Sequence, residues 1–366
     1  MTTTEAREPR PAAFHPARWA EVEPGGRVHC TLCPRDCRLA EGQAGFCFIR
    51  QNQGGSMVTL GYGRSTGFAA DPIEKKPLNH FYPGTQVLSF GTVGCNLGCR
   101  FCQNWDISKA RSSERGMGLH SASDVVDLAV AAGCPAIAFT YNDPVIWAEW
   151  AIDVAREARS RGVRTVFVTA GYVHEKARQE IFEHMDATNV DLKGFTEDFY
   201  RKASLAHLAP VLETLEWLAR ERKVWTEVTN LVIPGLNDAP EETRRLAEWV
   251  LTHMGADVPV HFTAFHPDYK MMDRPPTPPA TLREARRIAR EVGLRHVYTG
   301  NVHDPEGQTT YCPGCGAPLV ERDWMSVTAY RLGPGGLCPR CGLALAGRFG
   351  DAPVRPSKAR RTFLGT

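Results

Sequence analysis

The run Gln86-Val87-Leu88-Ser89-Phe90-Gly91 reads as a β-strand and feeds directly into three cysteines spaced Cys95-x3-Cys99-x2-Cys102. Behind it, β-branched or apolar runs alternate with amphipathic stretches. Strands are expected at 136–140, 164–169, ending at 189–193, 224–231, 258–265 and 296–299, with helices between them. Six or seven βα units of this kind predict parallel strands joined by right-handed crossovers. Such a sheet either curls into an incomplete barrel or lies flat and doubly wound. A cysteine loop at the C-terminal end of the first strand favours the barrel, where chemistry collects on that face. The expected fold is therefore α/β, a partial (β/α)6 TIM-like barrel. Three thiolates can hold three corners of a [4Fe–4S] cube and leave one iron open, whereas most electron-transfer clusters use four cysteines. The competing reading is a zinc site with a fourth ligand from elsewhere, but zinc knuckles favour pairs two residues apart.

Local signals refine the helices. Ser121 and Asp124 form a capping-box pattern ahead of an apolar face at Val125, Leu128, Ala129 and Ala132. Asn142-Asp143-Pro144 opens a helix to about Arg161, with Asp143 as N-cap and Pro144 at the first helical position.

With 366 residues the chain is long enough for one large α/β domain and small appendages. A net charge of +2, from 43 basic and 41 acidic residues, gives no clear signal for nucleic acid. No apolar run approaches a bilayer span, so no membrane partner is expected. Residues 1–27, rich in Pro, Ala and Arg and without the apolar stretch of a signal peptide, are expected to form a mobile tail, and residues 346–366 a C-terminal tail. The twelve cysteines cluster at metal spacings, with only Cys134 left over. That pattern argues for metal ligands in a reducing compartment and hence a cytoplasmic metalloprotein.

The three-cysteine loop, with Phe101 just before its last cysteine, resembles the signature of radical S-adenosylmethionine (radical SAM) enzymes. The resemblance implies a [4Fe–4S] cluster on Cys95, Cys99 and Cys102, with the methionine part of S-adenosylmethionine on the open iron. It also implies that polar residues at the strand ends contact the cofactor. Asn142 and Asp143 stand where such enzymes usually carry a Gly-Gly-Glu-Pro-like segment; here the glycines are absent and Asp replaces Glu, against a background role in helix capping. A carboxylate suits a cationic amine. Thr169, Asn104 and Phe101 are further cofactor candidates, Phe101 against the adenine or simply filling the core. Asp191 and Lys193 share a face and resemble the Asp-x-Lys segment of glycyl-radical activating enzymes; the alternative is an ordinary internal ion pair. His266, before Pro267, is expected to be a structural histidine.

Two appendages are expected. Cys312-Pro-Gly-Cys315-Gly and Cys338-Pro-Arg-Cys341-Gly are matching knuckles that predict a zinc ribbon over 305–345. Cys30, Cys33, Cys37 and Cys47 define an N-terminal metal-binding segment over 28–83, with structural zinc favoured over an auxiliary iron–sulfur cluster. The partial barrel then occupies 84–304.

Together with Asp71-Pro-Ile-Glu-Lys-Lys-Pro77, Asn79-His80-Phe81 and Gly300-Asn301-Val302-His303-Asp304, these motifs resemble the radical SAM enzyme of the AmmeMemoRadiSam system, from Cys30 to Gly342. That family is similar to pyruvate formate-lyase activating enzymes. The resemblance implies reductive cleavage of S-adenosylmethionine, a reductant such as flavodoxin or ferredoxin, and two companion proteins. The Asn usual in the third-strand segment is Ala170 here. Hydrogen abstraction from a partner protein is the first expectation, a small-molecule substrate the second, and a non-enzymatic zinc-dependent adaptor the third.

Overall fold

A computed structural model describes residues 14–110 and 117–350, and the backbone of 362–364. Its centre is a nine-stranded sheet. The strands are β1 (Phe68–Pro72), β2 (Gln86–Phe90), β3 (Ala136–Phe139), β4 (Arg164–Thr169), β5 (Ala187–Asp191), β6 (Trp225–Val232), β7 (Val260–Ala264), β8 (Val297–Gly300) and β9 (Thr362–Leu364). From β2 to β8 every neighbour is parallel and consecutive, while β1 and β9 add antiparallel strands beyond β2. The alternation in the sequence thus yields the expected α/β architecture with one parallel strand more than six.

Helices α1 (Ala122–Ala131), α2 (Ala148–Ser160), α3 (Glu175–Phe182), α4 (Ala209–Glu221), α5 (Pro240–His253) and α6 (Pro279–Val292) supply the crossovers. Ser121 and Asp124 form the expected capping box in both directions. Asp143 caps a 3₁₀ turn, Pro144–Trp147, which leads into α2. Trp147 and Trp150 pack against Phe90 of β2, at ring-centroid distances of 5.4 and 5.0 Å. Such contacts between a helix and a doubly buried strand are what parallel sheets require.

Residues 73–81 run across the inside of the curled sheet and plug one end. The Pro77 carbonyl accepts from Asn189 of β5, and the amides of Asn79 and His80 donate to Glu227 of β6. His80 also meets the Tyr298 hydroxyl of β8 at 2.6 Å. An irregular segment can be buried there because inward strand side chains satisfy its backbone.

The expected N-terminal tail overlaps folded structure from residue 14 onward. His15–Pro16 pairs with Ser56–Thr59, and Ala20–Val22 pairs with Val28–Cys30. Trp19 joins the core, so apolar burial offsets the ordering of this Pro-rich stretch. Residues 1–13 lie outside the described residues. The expected C-terminal tail is likewise structured at its start, where Arg348 exchanges backbone hydrogen bonds with His80 and Tyr82.

Candidate active site

The loop after β2 is tied down on every side before any ligand is considered. The amides of Gly98 and Arg100 donate to the carbonyls of Ser204 and Ala203, and the Lys109 ammonium donates to the Leu97 carbonyl at 2.6 Å. Asn142 clamps the loop from β3: its amide oxygen accepts from Thr92 N–H and the Trp147 indole, and its NH₂ donates to the Gly94 carbonyl. The Asn96 side chain donates to the Tyr172 carbonyl. Sequence spacing alone cannot reveal this scaffolding, because its partners are scattered along the chain.

Cys95, Cys99 and Cys102 open onto a cavity of about 410 Å³. That volume falls in the range of small-molecule sites. Residues at or just beyond the ends of β2 through β8 all line it, including Thr140, Thr169, Asp191, Thr229, Thr263 and Asn301. One cavity touching seven strand ends requires the sheet to curl around it. Every residue expected at the cofactor site lines this cavity: Phe101, Asn104, Asn142, Asp143, Thr169, Asp191 and Lys193.

The polar groups there are engaged with one another. Asp143 is buried; one carboxylate oxygen accepts from Val145 N–H and the Thr169 hydroxyl, and the other from Ala170 N–H. Burial raises its pKa against these bonds and the nearby Lys193 charge. The Thr169 hydroxyl is therefore a strand-end clasp, and it accepts Gly171 N–H as well. Asp191 and Lys193 form the internal ion pair, 3.0 Å apart. Burial alone would lower the Lys193 pKa, but Asp191 and Cys99 outweigh it and hold the ammonium charged. Asn104 donates to the Tyr141 carbonyl. Phe101 is buried and lies 5.9 Å from the Phe199 ring, so it serves the core as well as the cavity wall. His266 is exposed, with its Nδ1 3.3 Å from the Pro267 carbonyl, and it does not line the cavity.

Several wall residues escaped the sequence reading. Lys75, Lys76 and Pro77 reach the cavity from the plug, and Met325 reaches it from the C-terminal segment. Asp71 is fully buried and meets both lysines, at 2.9 and 2.8 Å, and the Tyr141 hydroxyl. Burial opposes ionisation of Asp71, but the two ammonium groups prevail and hold its pKa at about 2. The sequence signal for these residues is the Asp71–Pro77 run.

Three cysteines line the cavity with no fourth cysteine or histidine among its wall residues, which fits a cube with one iron left to a ligand. Burial and the Asp143 charge push the Cys95 thiol up to about 12 against the pull of Lys109, and a bound metal would favour the thiolate there. At the C-terminal end, the sulfurs of Cys312, Cys315, Cys338 and Cys341 all lie within 4.8 Å of one another, and this group could bind a metal.

A family model described as the radical SAM superfamily matches residues 90–247. The chain is 44% identical over 296 residues to uncharacterized protein MJ0808 of Methanocaldococcus jannaschii, covering 81% of this chain and 88% of that protein. It is 23% identical over 210 residues to the pyruvate formate-lyase-activating enzyme of Clostridium pasteurianum, covering 52% of this chain and 84% of that enzyme. A solved domain of pyruvate-formate lyase-activating enzyme from Bacteroides vulgatus covers 45% of this chain and 98% of its own length, at 15% identity and a TM-score of 0.39. Among the described residues no helix is long and apolar enough to cross a membrane. The three-cysteine loop therefore lies in a radical SAM domain, matched over residues 90–247, with homology to pyruvate formate-lyase activating enzymes.

Proposed function

We propose that this protein reductively cleaves S-adenosylmethionine and uses the product radical to abstract hydrogen from a partner protein, as an activating enzyme does. A [4Fe–4S] cluster bound there and reduced by an external carrier would supply one electron and, with S-adenosylmethionine, C5′–S cleavage chemistry. The single observation that carries this reading is the opening of Cys95, Cys99 and Cys102 onto one cavity at seven strand ends.

The chain's own residues would hold and orient. Cys95, Cys99 and Cys102 would ligate three irons, and Lys193 places a positive charge beside Cys99. Asp143 accepts three hydrogen bonds, leaving carboxylate capacity for a ligand ammonium. A cation there offsets the cost of burying that carboxylate. Asn104, Thr169, Asp191 and Phe101 complete the proposed cofactor pocket, with Asn142 keeping the cysteine loop in place.

The similarity to proteins named as activating enzymes supports a polypeptide substrate. The motif resemblance supports membership of the AmmeMemoRadiSam system, with its two companion proteins as partners, a flavodoxin or ferredoxin as reductant and a cytoplasmic setting. The C-terminal quartet is assigned to zinc: Sγ–Sγ distances of 3.5 and 3.7 Å for Cys312–Cys341 and Cys315–Cys338 match the roughly 3.8 Å edge of a tetrahedron with bonds of about 2.3 Å.

The test is anaerobic reconstitution, reduction with dithionite in the presence of S-adenosylmethionine, and quantification of 5′-deoxyadenosine. Cys99→Ser should abolish its formation; undiminished release would refute the assignment. Deuterated companion proteins should then pass deuterium into 5′-deoxyadenosine, whereas transfer only from a small molecule would replace the activase reading.

A further inference from the structure

Cys30, Cys33, Cys37 and Cys47 converge on one small cavity that also touches Asn96 of the catalytic loop. Three of the four are buried. Amide groups point at their sulfurs: Arg35 N–H at Cys33, Phe46 N–H at Cys37, and Ile49 and Arg50 N–H at Cys47. Hydrogen bonds of this kind stabilise metal thiolates and tune iron–sulfur potentials.

Spacing separates the possible occupants. Among the described residues, the C-terminal quartet is the group of three or more ligand side chains whose atoms all lie within 4.8 Å. Among the described residues, neither the N-terminal four nor Cys95, Cys99 and Cys102 form so close a group. A single zinc ion draws its sulfurs to about 3.8 Å. A cube, with iron and sulfide between its ligands, holds them wider.

The quartet also abuts the catalytic loop through backbone. A methyl group on Gly94 would strike the Cys47 carbonyl, and the Arg35 guanidinium donates to the Asn96 carbonyl at 2.8 Å. Phe46 and Phe48, on either side of Cys47, share a hollow of about 420 Å³ with Cys95. Arg100, Lys109 and Lys270 line that hollow and no carboxylate does, which suits an acidic carrier protein.

We propose that Cys30, Cys33, Cys37 and Cys47 hold a second [4Fe–4S] cluster that takes one electron from an external low-potential carrier protein and passes it to the cluster at Cys95, Cys99 and Cys102. The carrier is oxidised by one electron, the second cluster cycles between its 2+ and 1+ core charges, and the first is reduced by one; no proton or ligand moves. Four thiolates leave no open iron, so this centre transfers electrons and binds no substrate. The relay step rests on the radical SAM reading above, but the presence of the second cluster does not.

The experiment uses the full chain and the triple variant Cys95→Ala/Cys99→Ala/Cys102→Ala, both reconstituted anaerobically. Iron, sulfide and zinc are counted, and Mössbauer and EPR spectra are recorded with and without S-adenosylmethionine. The triple variant should keep about four irons and an EPR signal that the cofactor leaves unchanged, against about eight irons in the parent. A variant without iron, beside two zinc ions per chain, overturns the second cluster. About four irons in both proteins would sustain it while refuting the catalytic cluster. On mixing the parent with reduced flavodoxin, rapid-freeze EPR should show the cofactor-insensitive signal first; the reverse order overturns the relay.

Discussion

Arg50 and Glu149 form a buried ion pair that fastens the N-terminal segment to α2. One guanidinium nitrogen lies 2.8 and 3.1 Å from the two carboxylate oxygens. Both side chains are almost wholly buried, and Glu149 also accepts the Arg18 amide while Arg50 donates to the Arg18 carbonyl. Removing either partner strands a charge in the core. Arg50→Met or Glu149→Leu alone should destabilise the protein by about 3–5 kcal/mol, and the double variant should recover most of that loss. Denaturant titration of the four proteins checks this; equal losses in single and double variants would contradict it.

His80 gives the fold an acid sensitivity. Its Nδ1 faces the Ala346 carbonyl, which only accepts, so Nδ1 carries the proton and Nε2 accepts from the Tyr298 hydroxyl. Burial, then the neighbouring His296, lowers its pKa to about 3, and burial lowers that of His296 to about 4. The unfolded chain therefore binds protons more readily than the folded one. Stability should be full above about pH 6.5 and fall progressively as pH drops through that value toward about 3. Equilibrium unfolding across that window measures the slope, which His80→Gln should reduce.

Gly94 faces two independent constraints. Its φ is +83°, in the left-handed region, and the Cys47 carbonyl occupies the space of a side chain. Gly94→Ala should cost at least about 2 kcal/mol and displace the loop that follows. Denaturant unfolding of the metal-free chain, paired with iron counts after reconstitution, tests both consequences. Unchanged iron content would show that the loop tolerates the shift.

The C-terminal quartet should hold one zinc ion whose loss unfolds its own segment and leaves the parallel sheet intact. Structural zinc contributes about 10–16 kcal/mol of apparent binding free energy in small domains. Cys312→Ser/Cys338→Ser should lose that zinc and become cleavable between 305 and 345 under limited proteolysis. The two-knuckle segment resisting protease in the variant would count against this assignment.

The parallel core was readable because each strand leaves a strong local trace. Ala136–Phe139 is buried at every position and reads as an uninterrupted apolar run, and Ser121 with Asp124 announces a helix start within four residues. The plug was not readable. Asn79 and His80 look like an arbitrary loop until Glu227, 148 and 147 residues away, accepts their amides. The same holds for Trp19, whose burial depends on partners beyond its Pro-rich surroundings. At the site, residue identity and strand-end position placed Asp143 and Lys193 on the cavity wall. They could not show that Asn142 and Thr169 already have protein partners, since those bonds exist only in three dimensions.

Met325 sits at the tip of the hairpin formed by Pro318–Asp323 and Ser326–Tyr330, yet it borders the same chamber as the three loop cysteines. Arg322 of that hairpin is buried and bonds to the Asn79 and Gln308 carbonyls, locking hairpin to plug. The segment that carries the C-terminal cysteine quartet thus helps shape the cavity wall. Loosening that segment would reshape the wall beside Cys95, Cys99 and Cys102 without altering any of the three.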